Sequence, residues 1–133
     1  MSFTKRHQKI VEESRRQMAA QEREIDRIII SRFHASCMSN AKWRRAFEAL
    51  AEVAETVTGC RWKFVNSDRL CEADFPVLEE GYFEATFGIV YLKHVEWVEI
   101  ITSDPESAAA ALRACGQFAI ERTAEGIRIL GYR

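Results

Sequence analysis

Long hydrophobic runs are missing from this chain. Its apolar stretches, such as Ile28 to Ile30 and Ala108 to Leu112, fall far short of the ~20 residues that cross a bilayer, which excludes a transmembrane helix. Basic residues do occur near the start, in MSFTKRHQKIVEE, but no apolar segment follows them. No secretory signal is therefore expected, and the expected location is the cytoplasm. Cysteine is sparse and scattered, at positions 37, 60, 71 and 115, with no CxxC spacing. That distribution argues for free buried thiols rather than a disulfide framework. His34 and Cys37 have HxxC spacing and could join Cys60 and Cys71 around zinc, but the remaining spacing fits no familiar module. No metal and no cofactor are expected. No nucleophile motif stands out, so no catalytic residue is assigned and the chain reads as a binding protein rather than an enzyme.

What is present is ordinary globular composition, 47% apolar and 29% charged over 133 residues, enough for one domain with its own core. The charges are sorted along the chain. Residues 1–45 are rich in Lys and Arg and residues 46–133 in Asp and Glu, although the total is only −1. A basic front and an acidic remainder point to association.

From Thr4 to about Cys37 there is neither Gly nor Pro, and good helix formers dominate. Val11, Met18 and Ile25 recur every seven residues, and Ile28, Ile29 and Phe33 thicken the stripe. Ser14 and Gln21 weaken the second seam position, so a long helix is expected but not an autonomous coiled coil. Its first two turns, Phe3 to Lys9, have little to hold them. Ser39 or Asn40 can cap a second helix from about Ala41 to Thr58, with Trp43, Phe47, Leu50, Ala54 and Val57 on one face and Gly59 as terminator.

Beyond Gly59 the period becomes two. Strands are expected at Cys60–Phe64, Tyr82–Phe87, about Tyr91–Thr102, from Phe118 and Ile120 up to a loop at Thr123, and at Ile127–Tyr132, with a loop over residues 66–81 that holds a short extended piece at Val77-Leu78. Asp104-Pro105-Glu106 starts a short helix ending at Gly116, between the third and fourth strands. Gly126 suits a hairpin loop that needs positive φ. The fold class is α+β: two helices, then a largely antiparallel sheet of about five strands. Residues 1–39 read as a basic association arm and 40–133 as a single domain.

Within that domain, YLKHVEWVEIITSD followed by LRACGQFAIERTAEGIRILGYR resembles the C-terminal half of a family of small uncharacterised bacterial proteins found in integron and other mobile gene cassettes. The Glu96-Trp97 pair, the Gly-x-Phe-x-Ile-Glu strand and the closing Gly131-Tyr132 carry the resemblance, over roughly residues 60–133. It implies a stand-alone bacterial α+β domain with no assigned catalytic residue; other small proteins of this kind act in immunity.

Three site readings follow. A homodimer interface would use Val11, Met18, Ile25, Ile28, Ile29 and Phe33, with the basic helix complementing the acidic sheet portion of a second copy. A small-molecule or enzymatic pocket would use Tyr91, His94, Glu96 and Trp97, where alternation puts His94 and Glu96 on one face and Glu99 on the other. A phosphate contact would use Lys42, Arg44 and Arg45, which lack neighbouring carboxylates. Nucleic acid is the weakest expectation, because Glu12, Glu13, Glu22, Glu24 and Asp26 are interleaved with the cations of the first helix. The dense aromatic set Trp62, Phe64, Tyr82, Phe83, Phe87, Tyr91 and Trp97 is expected mainly in the core.

Overall fold

A computed structural model describes the backbone of residues 2–133 and the side chains of residues 5–133. The chain divides into two units at Arg32/Phe33. The first unit is one helix, α1 (Ser2–Arg32), with a surface ion pair between Glu24 and Arg27 at 2.7 Å. The side chains of Phe3 and Thr4, at the start expected to fray, lie outside the described residues. The helix stops at Arg32 and not near Cys37. The N–H groups of His34 and Ala35 donate to the Arg133 carbonyl at 2.7 Å, and Cys37 N–H donates to Gly131 O at 2.8 Å. Another helical turn would need those donors. Phe33 therefore leaves the stripe of α1; its ring lies 5.5 Å from that of Tyr132 in the second unit.

The second unit begins its regular structure with α2 (Asn40–Ala51), capped as expected by Ser39, whose Oγ accepts the Lys42 N–H at 3.1 Å. α2 does not reach Thr58. A 3₁₀ turn at Ala54–Thr56 leads directly into β1 (Val57–Phe64), and Gly59 sits inside that strand. The β-branched run Val53, Thr56, Val57, Thr58 favours extended backbone over a helix continuing on apolar spacing alone.

Six strands follow: β2 (Leu70–Ala73), β3 (Tyr82–Ala85), β4 (Gly88–Tyr91), β5 (Val95–Thr102), β6 (Ile120–Arg122) and β7 (Gly126–Leu130), with α3 (Pro105–Cys115) between β5 and β6. The fold is α+β, with an antiparallel five-stranded sheet in the order β2-β1-β5-β7-β6 and a separate hairpin β3-β4. The short helix does follow the Val95–Thr102 strand, but β2 and β4 make that strand the fifth and not the third. β2 occupies part of the expected loop. The expected strand from Tyr91 to Thr102 is broken by a 3₁₀ turn at Leu92–His94, which lets Tyr91 close the hairpin. Gly88, at φ 130°, supplies the left-handed conformation that a tight hairpin requires.

α2, α3 and the hairpin pack on one face of the large sheet. Trp43, Phe47 and Leu50 of α2, Ala108 and Leu112 of α3, and Phe83 and Val90 of the hairpin meet Cys60, Trp62, Val98, Ile100, Ile127 and Ile129. α3 starts as expected, with Asp104 accepting from Ser107 N–H at 3.1 Å and Ser107 Oγ at 2.6 Å; these bonds hold the Asp104 carboxyl below its usual range. Gly126 is required for a reason other than the one expected. Its φ is not positive, but a Cβ there would collide with the Ile100 carbonyl oxygen of β5.

Candidate functional site

Of the residues proposed for a pocket, Tyr91 and His94 are brought together, their rings 5.4 Å apart at the end of the hairpin. Glu96 and Trp97 have partners on the neighbouring strands. β5 pairs Trp97 with Lys63 and Val95 with Phe64, so Glu96 is the extra residue of a β-bulge. The bulge reverses simple alternation. Val95 enters the core beside Val98 and Ile100, while the Glu96 carboxylate lies 3.4 Å from Lys63 Nζ. Trp97 is covered by the Arg128 guanidinium, 3.9 Å from the ring centroid, a cation–π contact.

The face of the sheet opposite the core carries a row of alternating charge. Register aligns Glu72, Arg61, Glu99, Arg128 and Glu121 across all five strands. Arg61 reaches Glu99 at 2.7 Å and Glu72 at 2.9 Å, and Arg128 reaches Glu121 at 3.6 Å. The hydrogen bond to Glu72, with the charges of Glu125 and Glu99, raises the Arg61 pKa above its usual value. A strand slipped by one residue would set these charges against apolar core positions, so the row specifies register.

Lys42, Arg44 and Arg45 do not form a cradle. Lys42 Nζ donates to the Cys37 carbonyl at 3.1 Å and lies 5.6 Å from the Phe118 ring centroid, whereas Arg44 and Arg45 are exposed. Val11, Met18, Ile25, Ile28 and Ile29 all lie on α1, and Met18 is 57% exposed. Among the described residues no group of three or more His, Cys, Asp or Glu side chains converges as a metal would require, and no helix is long and apolar enough to cross a membrane.

One concavity of the second unit is not marked by the sequence pattern. A cleft of about 490 Å³ opens between the β1–β2 pair and β3. Its floor is apolar, built from Cys60, Ala73, Phe75, Phe83 and Ala85, with Val77 at the rim. Its charged lining is entirely acidic: Glu72, Asp74 and Glu84. Glu72 is engaged by Arg61, but among the described residues Asp74 and Glu84 make no ion pair. Alternation in LCEAD, with Glu72 and Asp74 two apart, was the available signal; reading residues 66–81 as loop concealed it.

Cys60 lines this cleft without being a nucleophile. Burial first, and the Asp74 carboxylate second, push its thiol up to about 12, so it is protonated at neutral pH. The folded state holds that proton more tightly than the unfolded chain, whose thiol has the ordinary value of 9.0. The resulting stabilisation is complete below pH ~9 and is lost as pH rises from there towards ~12. Relative to Cys60→Ala, the wild-type protein should therefore lose about 1.4 kcal/mol per pH unit over that interval. Urea denaturation of both proteins at several alkaline pH values measures this; parallel stability curves would refute it.

Comparison of the chain with protein-family profiles, curated proteins and solved structures finds no match.

Proposed function

We propose that this chain is a small, non-enzymatic bacterial interaction protein of the cytoplasm that forms a homodimer through α1. The carrying observation is the state of the first half of that helix. From Lys5 to Gln21 every residue is exposed except the half-exposed Val11. In proteins most of a helix's stability comes from packing one of its faces and not from propensity. Val11, Arg15 and Met18, spaced by four and three, form one continuous face of mixed apolar and cationic character. Ile10, 61% exposed, flanks it. Among the described residues Lys9, Arg15 and Arg16 make no ion pair, so their charge is available to a partner.

Sedimentation equilibrium of the full chain should give a dimer mass. Met18→Asp, a change at an exposed site, should weaken the dimer roughly tenfold or more while leaving the circular dichroism of the second unit intact. A monomer mass for the wild-type chain at concentrations up to the millimolar range rejects the reading.

A further inference from the structure

We infer that the acidic cleft beside the hairpin is the receiving site for the N-terminal half of α1 from a second copy of the chain, each copy giving its arm and taking the other's. The inference rests on the homodimer reading above and adds the partner surface. Three features of the molecule favour it. The first is charge: the cleft presents Asp74 and Glu84 without cationic partners, and the arm presents Lys9, Arg15 and Arg16 without anionic ones. Opposite charges left unpaired on two surfaces of one chain complement each other, steer the encounter and set its orientation.

The second is shape and polarity. The arm's Val11–Arg15–Met18 face places one cation between two apolar side chains. The cleft offers the matching arrangement, a half-buried apolar floor at Ala73, Phe75 and Ala85 bordered by carboxylates. Arg15 would lie against Asp74 and Glu84 while Val11 and Met18 cover the floor and the rim at Val77, which is 81% exposed. A second copy's helix is the occupant favoured over a small molecule, because the same hairpin carries further exposed apolar residues outside the cleft, Phe87 and Ile89.

The third is symmetry. An arm and a cleft on the same chain are two different surfaces, and a two-fold axis lets each serve once per subunit and closes the assembly at two.

Charge exchange between the two surfaces tests this. Sedimentation equilibrium at low salt would compare the wild-type chain, Arg15→Glu, the pair Asp74→Lys with Glu84→Lys, and all three changes together. These positions are exposed, and circular dichroism with a thermal melt verifies that each variant is folded. Arg15→Glu alone and the cleft pair alone should each weaken the dimer roughly tenfold or more, and the combined variant should recover to within a few-fold of wild type. If the cleft pair dimerises like wild type while Arg15→Glu does not, the receiving site is elsewhere and the arm reading survives. If both single-surface variants weaken the dimer without recovery in combination, the two surfaces do not touch and the inference is overturned. A monomeric wild-type chain overturns both.

Discussion

Trp62→Ala should lower the free energy of unfolding of the second unit by roughly 3–5 kcal/mol. The indole is fully buried and stands where three elements meet. Its ring lies 5.7 Å from Phe47 of α2 and 4.6 Å from Phe83 of the hairpin, and it is anchored on β1 itself. Deleting it removes its buried surface and leaves a cavity that the sheet and helix, held by their own backbone bonds, can only partly fill. The hairpin makes few other connections to the large sheet, so its docking should loosen first, and with it the wall of the acidic cleft. Trp62→Phe should cost less than half as much. It keeps an aromatic ring between Phe47 and Phe83 and discards an indole N–H that has no protein acceptor. Urea denaturation followed by far-ultraviolet circular dichroism measures both. A cost for Trp62→Ala below about 1 kcal/mol would show that the stack does not organise the core.

The second large effect should come from Gly126→Ala, at roughly 3 kcal/mol or more. A methyl group there would collide with the Ile100 carbonyl oxygen and stand 3.1 Å from Thr102 N, and both are backbone atoms of the paired strand. A backbone contact cannot be relieved by a change of rotamer; β5 and β7 would have to separate at Ile101–Gly126, the last pair of their ladder. Gly59→Ala is the matched control. Gly59 also lies in a strand, but a Cβ there would find only the Ala73 carbonyl at an ordinary 3.5 Å, so its effect should stay within about 0.5 kcal/mol. Differential scanning calorimetry of the two variants separates crowding from any general intolerance of side chains at strand glycines. Equal melting temperatures would contradict the close approach at Gly126.

Much of this fold was legible in the residues. The absence of Gly and Pro before residue 37, the Ser39 cap, the Asp104-Pro105 start and the alternation in β1 and β7 are local signals, and local backbone physics is enough to read them. The misreadings have a common cause. The end of α1, the turn at Leu92–His94, the bulge at Glu96 and the short strand β2 all depend on partners remote in the chain. Residues 34–37 leave the helix because the C-terminus offers hydrogen bonds there. Gly126 was recognised as special, but for its φ, because the carbonyl that crowds it belongs to another strand.

The candidate site divides the same way. The apolar stripe of the arm, Val11, Met18 and Ile25, is helical periodicity written in order along the chain, and the sequence alone shows it. It does not show the acidic cleft. Asp74 follows the end of β2 in the large sheet and Glu84 lies on β3 of the hairpin, and each by itself is one exposed carboxylate among many. Only the docking of the hairpin against the sheet, through Phe83 on Trp62, brings them to the rim of one apolar hollow. Periodicity along a backbone records which side of an element is apolar; which elements then share a wall is decided by packing, where a residue's neighbours are chosen by shape and burial and not by distance along the chain.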